Sequence, residues 1–230
     1  MDFIKHIKKI KIPEFKNGVI IQCNFNITYF NDNLFRQYEI PLPKHIQGAC
    51  KKRRAEYLAG RYCARKALSI KSIQCDEIKT GSQREPLWPH GVSGSISHAS
   101  NTAVSAVGLI SDYPHVGIDC EDLIAEEKIP DIQSMILQKN ELESLSPHPL
   151  NKSELFSLIF SAKESLFKAL YPYVQCYFDF QDAKFISIDS KQQNFTIKIT
   201  KSLTYKYPAG TCFTGYFNFI SNHILTMVYQ

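Results

Sequence analysis

Between residues 152 and 170 the apolar positions Leu155, Leu158, Ile159, Ala162, Leu166, Ala169 and Leu170 recur at intervals of three and four. That spacing lays one apolar stripe along a helix. A second long helical pattern covers about 50–69, "CKKRRAEYLAGRYCARKALS", after the break at "PLP" (41–43), and a third lies near 131–145. β-branched and aromatic residues in partial alternation predict a strand at 19–29, and "NTAVSAVGLI" (101–110) predicts another. A turn at Ser111–Pro114 leads from it into "HVGID". The last 50 or so residues return to strand patterns in "KFISIDS", "NFTIKIT", "TCFTGYFNF" and "HILTMVY". Residues 81–94, "GSQREPLWPHGVSG", read as loop. Helices and strands are mixed without regular βαβ alternation, which predicts an α+β fold with antiparallel sheet. Each half of the chain carries one long helix and several strands.

Composition narrows the class. At 230 residues the chain can bury a substantial core as one large or two small domains, and its 44% hydrophobic and 21% charged content is that of a globular protein. A net charge of +5 is too small and too dispersed to call for nucleic acid. No apolar run reaches the ~20 residues of a membrane span, and the Lys/Ile alternation of "MDFIKHIKKIKIP" has no signal-peptide core. The seven cysteines are odd in number, widely spaced and without a CxxC pair, so free thiols in a reducing, cytoplasmic setting are expected.

Four constellations could carry chemistry. In "GIDCE", Asp119 and Glu121 lie two apart; on a strand they share a face, and two carboxylates there repel unless a cation intervenes. A solvated strand end is the plain alternative. Glu164 and Lys168 are i and i+4 on the second long helix: either a surface ion pair, or a base and metal ligand beside a cation for an anionic leaving group. Arg54, Leu58, Arg61 and Arg65 share a face of the first long helix, and Lys51, Lys52 and Arg53 crowd its start against the macrodipole. A bound polyanion would compensate them; a solvated basic face is the alternative. In "GSISHAS", Ser97 and the backbone suit phosphate contacts, whereas Ser97 and His98 point to opposite faces and cannot act as nucleophile and base. The lone Trp88 reads as a packing anchor.

The order of four blocks, "RRAEYLAGRYCARKAL", "REPLWPHGVSGSISH", "VGIDCE" and "FSLIFSAKESLFKAL", resembles the 4′-phosphopantetheinyl transferase superfamily, Sfp/EntD type, and within it the enterobactin-synthase component D branch. The likeness covers about residues 50–170. It implies a pseudo-twofold monomer of two similar α+β halves, each with a long helix packed on a small antiparallel sheet, divided near Ser111–Pro114 into 1–112 and 113–230, with coenzyme A in the cleft between them. It implies Mg²⁺-dependent transfer of 4′-phosphopantetheine from coenzyme A to a serine of an apo acyl or peptidyl carrier protein, releasing adenosine 3′,5′-bisphosphate. By the same resemblance Asp119, Glu121 and Glu164 hold the metal, Glu164 acts as base, and Lys168 contacts the cofactor and its leaving group. His98 meets a coenzyme A phosphate, Arg53 and Arg61 the 3′-phosphate, and Arg84 lines the adenine pocket. Cys120 stands where the family has an aliphatic residue and is expected to point away from the metal; Glu85 has no assigned role. Carrier domains of siderophore nonribosomal peptide synthetases are the expected substrates, with fatty-acid acyl carrier protein as the competitor. A non-catalytic coenzyme A or carrier-binding module is a further rival. A nucleotide-triphosphate phosphotransferase is disfavoured because no GxxxxGK[ST] loop is present.

Overall fold

The computed structural model describes residues 2–145 and 148–230. The chain divides into two compact units, Met1–Pro114 and His115–Gln230. Each is α+β, with a long helix against an antiparallel sheet, as the sequence predicts.

In the first unit the strands are β1 (Ile4–Ile10), β2 (Val19–Phe25), β3 (Lys79–Thr80), β4 (Pro86–Leu87), β5 (Val92–Ala99) and β6 (Thr102–Leu109); the helices are α1 (Asn33–Gln37), α2 (Lys44–Gln47) and α3 (Lys51–Ile70). The main sheet has the order β1-β2-β6-β5, all antiparallel. The Ile/Lys alternation at the N-terminus is an edge strand, β1, whose exposed lysines keep that edge from pairing further. Small residues of α3 (Ala55, Ala59, Cys63, Ala64, Ala67) meet Val19, Ile21, Cys23, Ala103 and Val107 of the sheet in the core. Gly60 belongs to that fit: a Cβ there would stand 2.7 Å from Ile96 Cγ2. The segment predicted as loop at 81–94 is in part strand, because β5 begins at Val92 and β3 with β4 forms a short hairpin. Trp88 packs against the core as an anchor, its ring over Gly94.

In the second unit β7 (Val116–Asp122), β8 (Ala183–Asp189), β9 (Asn194–Ile199), β10 (Cys212–Ile220) and β11 (His223–Tyr229) form a sheet of order β7-β11-β10-β9-β8, again antiparallel. The helices are α4 (Ile129–Ile136) and α5 (Lys152–Val174). α4 is shorter than the 131–145 pattern predicts; after Ile136 the chain turns to supply Glu141 to the core. α5 starts at a capping box, with the Asn151 side chain accepting from Glu154 N (2.9 Å) and the Glu154 carboxylate accepting from Asn151 N (3.0 Å). It ends at Gln175 in the left-handed conformation. Leu155, Leu158, Ile159, Ala162, Leu166, Ala169 and Leu170, the stripe read from the sequence, are all buried in the second core. Among the described residues no helix is long and apolar enough to cross a membrane.

One buried ion pair holds the far end of this unit together. Lys163 Nζ, 2% exposed as a residue, donates to Glu141 Oε2 (2.9 Å), Ile136 O (2.7 Å) and Phe180 O (3.1 Å). Glu141 also accepts from Gln138 N (2.7 Å) and Phe185 N (2.6 Å). Burial pushes the Lys163 ammonium below its ordinary range, and the Glu141 charge pushes back. Removing one partner strands the other in the core. Lys163→Met alone should therefore destabilise by ~3–5 kcal/mol, and Lys163→Met/Glu141→Leu should recover part of that loss, read by urea unfolding, the rest reflecting the backbone groups that lose their partners. Equal stability for the single and double variants contradicts this account of the pair.

Candidate functional site

The acidic site is built where α5 lies on β7. Gly117 makes the approach possible: a Cβ there would run into the Ser165 carbonyl and Ala169. Two residues on, Asp119 stands on the same face of β7, and its cross-strand partner on β11 is Thr226. Asp119 is 3% exposed, so its carboxylate must find donors inside the protein. Lys168 Nζ donates to Oδ1 (2.6 Å) and Ser161 Oγ to Oδ2 (2.7 Å), both from α5. Lys168 thus reaches a buried acid, and the description of Glu164 and Lys168 as an ordinary surface ion pair does not hold.

Glu121 and Glu164 are half-buried. Burial pushes the Glu121 carboxyl up to about 7, and the Asp119 charge adds to the push. Burial also raises Glu164; Lys168 offsets part of the effect and Asp119 adds to it. The three acids therefore feel one field, centred on Asp119, and all offer oxygen ligands of the kind hard cations take. Among the described residues no three His, Cys, Asp or Glu side chains form a group able to hold a metal ion by themselves. Cys120 lies on the opposite face of β7, buried, its thiol pushed up to about 12 by burial and then by Asp119 and Glu121.

The first unit carries a separate basic group. The first turn of α3 has no acidic residue, and its cap, Cys50, makes no side-chain hydrogen bond. Arg53 Nη1 lies 2.8 Å from His98 Nε2 on β5, and Glu56 lies 3.8 Å from Arg53 and 3.7 Å from His98 Nδ1. Burial raises the Glu56 carboxyl, with Lys52 and Arg53 opposing it. Arg61 is 7% exposed, its guanidinium over the Tyr57 ring (4.9 Å) and donating to Thr80 Oγ1 (3.0 Å). The solvated basic face holds for Lys51 and Lys52, which are exposed, but not for the arginines of the helix. Leu58 is fully buried, Arg54 donates to Ala49 O (2.6 Å) and Asp32 (2.9 Å), and Arg65 to Tyr38 O (2.7 Å) and Glu39 O (2.6 Å). Arg53 remains the half-exposed arginine of the helix start. Ser97 is buried on β5, facing the opposite way from His98. Arg84 is exposed at a positive φ (69°) in the β3–β4 turn, where Glu85 accepts from Gln83 N (2.9 Å) and so has a structural role.

A cavity of about 200 Å³ opens beside Glu164, walled by Phe167, Tyr177, Phe178 and Phe180. The larger groove of about 570 Å³, along Tyr38, Tyr62, Arg65 and Lys66, contains Arg65 of the basic face and none of the other candidate residues. Sequence reasoning missed Ser161, Ser165, Thr226 and Glu56. The signal for the two serines was present: they are i and i+4, polar, and set within the apolar stripe.

Two families match the chain, the 4′-phosphopantetheinyl transferase N-terminal domain over residues 43–108 and the 4′-phosphopantetheinyl transferase superfamily over residues 115–225. The chain is 37% identical over 153 residues to enterobactin synthase component D of Escherichia coli K12, covering 66% of this chain and 71% of that protein. It is 35% identical over 151 residues to the enterobactin synthase component D of Salmonella typhimurium, covering 63% of this chain and 61% of that protein's length. It is 32% identical over 158 residues to the 4′-phosphopantetheinyl transferase Svp of Streptomyces mobaraensis, covering 67% of this chain and 63% of that protein.

The seven cysteines are free, with Cys23 and Cys63 meeting Sγ to Sγ at 3.4 Å in the core. Brief alkylation of the native protein near neutral pH, read by peptide mass spectrometry, should modify the exposed Cys50, Cys176 and Cys212 and spare Cys23, Cys63 and Cys120. Early modification of Cys120 would show that β7 presents its other face to solvent.

Proposed function

We propose, for a chain that belongs to the 4′-phosphopantetheinyl transferase superfamily, that it transfers 4′-phosphopantetheine from coenzyme A to a serine of an apo carrier protein. The observation that carries the reading is the contact of Lys168 with the buried Asp119 (2.6 Å), whose charge also bears on Glu121 and Glu164. Asp119, Glu121 and Glu164 would hold Mg²⁺. The fit rests on the donor set: all oxygen, two of the acids raised by burial and by Asp119, a load that a cation relieves. Lys168 and Ser161 already donate to the two Asp119 oxygens, so a cation held there would share this carboxylate with them. When bound there, the ion supplies neutralisation of the pyrophosphate charge.

The side chains divide the remaining work. Glu164 takes the proton of the carrier serine, directly or through water. The serine oxygen forms the new bond to the phosphorus that bears pantetheine, and the bond from that phosphorus to the bridging oxygen breaks. Lys168 pairs with the charge left on adenosine 3′,5′-bisphosphate. Arg53 and Arg61 receive the 3′-phosphate and His98 a coenzyme A phosphate; Ser97 and Arg84 complete the cofactor contacts. Ser97 does so through its strand, since its side chain is buried. The aromatic cavity beside Glu164 gives the uncharged pantetheine arm an apolar wall. No step needs a cysteine.

The natural carrier we assign to a siderophore-making nonribosomal peptide synthetase, on the strength of relatives named as components of enterobactin synthase. The protein acts as a cytoplasmic monomer in this reading.

Three outcomes test this. Incubation with coenzyme A, Mg²⁺ and an apo carrier should add one phosphopantetheinyl mass to the carrier, and chelation should stop it; no mass gain with any carrier sinks the proposal. Glu164→Gln keeps the size but loses the charge and the basicity, so kcat should fall ~10²-fold or more with the melting temperature little changed. Arg53→Ala should weaken coenzyme A by ~1.5–3 kcal/mol while leaving dephospho-coenzyme A nearly unaffected, measured by calorimetry. Equal losses for the two ligands would remove Arg53 from the 3′-phosphate.

A further inference from the structure

Behind Asp119 runs a line of three hydroxyls, each fully buried. Ser161 Oγ lies 2.7 Å from Asp119 Oδ2, Thr226 Oγ1 lies 2.8 Å from Ser161 Oγ, and Ser165 Oγ lies 2.7 Å from Thr226 Oγ1. Ser165 also reaches the Thr226 carbonyl at 3.1 Å. Ser161 and Ser165 are one turn apart on α5, and Thr226 is the cross-strand partner of Asp119 on β11, so the line crosses from helix to sheet and back.

The proton count gives this line a direction. A hydroxyl has one hydrogen to donate, and an ionised carboxylate only accepts. Ser161 therefore spends its hydrogen on Asp119. The Ser161–Thr226 bond must then be donated by Thr226, and the single Ser165 hydrogen goes to the nearer Thr226 Oγ1 (2.7 Å), with the Thr226 carbonyl (3.1 Å) as a longer, competing acceptor. All three O–H dipoles point toward the same carboxylate, and in a buried line each bond polarises the next. Lys168 holds the other oxygen.

We propose that Ser165, Thr226 and Ser161 are positioning residues that act through Asp119. They fix its carboxylate in the orientation that a divalent cation requires. The assignment rests on the reading of Asp119 as a metal ligand and extends it to residues that touch neither cation nor substrate. Outer partners of a ligand commonly change metal affinity by ~10–100-fold when they are removed.

The test separates the hydroxyl from its shape. Thr226→Val keeps the branched form and deletes the hydroxyl; Thr226→Ser keeps the hydroxyl and deletes a methyl group. Ser161→Ala, on the other element, removes the last donor directly. Binding of Mn²⁺, measured by electron paramagnetic resonance with coenzyme A present, is compared with thermal melts of the same variants. Thr226→Val and Ser161→Ala should bind Mn²⁺ ~10-fold or more weakly, and Thr226→Ser should stay close to the starting protein. A packing role reverses the order, because serine leaves a methyl-sized void and valine does not; that reversal overturns the proposal. So does unchanged Mn²⁺ affinity in both Thr226→Val and Ser161→Ala when the unsubstituted protein binds Mn²⁺ and coenzyme A. If the unsubstituted protein binds neither, the functional reading itself falls, and this inference with it.

Discussion

A carboxylate held almost out of contact with water, Asp119, is the constraint on which the second unit is organised. Burying such a charge is expensive unless donors are supplied in place, and the fold supplies them through one packing arrangement. Gly117 lets α5 come close to β7, and that approach brings Ser161 to one carboxylate oxygen and Lys168 to the other. The same geometry leaves Glu121 and Glu164 in the field of Asp119, where their protons are held more tightly than on exposed acids. Opening the helix–strand contact would therefore disturb packing, charge and chemistry together.

The periodic parts of this arrangement were legible in the sequence. The stripe of α5 faces the core, the strand "HVGID" continues to Asp122 as β7, and the two-residue spacing of Asp119 and Glu121 puts them on one face with Cys120 behind. The acid pair at 119 and 121 and the i, i+4 pair at 164 and 168 were both visible, but their convergence was not, since it depends on which strand α5 covers.

Other features left little trace in a linear reading. Lys163 sits beside Glu164 in "SAKES" and looks like one more surface charge, yet it is pinned inside the protein by Glu141 from a segment that reads as helix. Ser161 and Ser165 interrupt an apolar stripe without announcing a partner; the partner, Thr226, is set by the pairing of β7 with β11. In the first unit the cluster of basic residues on α3 resolves into different tasks. Arg54 and Arg65 tie down carbonyl groups, Arg61 is enclosed by Tyr57 and Thr80, and Arg53 stands with His98 at the half-exposed start of the helix. Composition and helical phase could not assign those tasks, because each depends on which loop comes back over the helix.

The central claim is that the acids around Asp119 direct one phosphoryl transfer from coenzyme A to a carrier serine. The most direct measurement follows both products of that transfer at once: adenosine 3′,5′-bisphosphate by chromatography and the modified serine by tandem mass spectrometry, for the unsubstituted chain and for Asp119→Asn. The account predicts bisphosphate and modified serine in equal amounts, and the loss of both in a folded Asp119→Asn protein. Bisphosphate released without carrier modification, or equal products from Asp119→Asn, would contradict it.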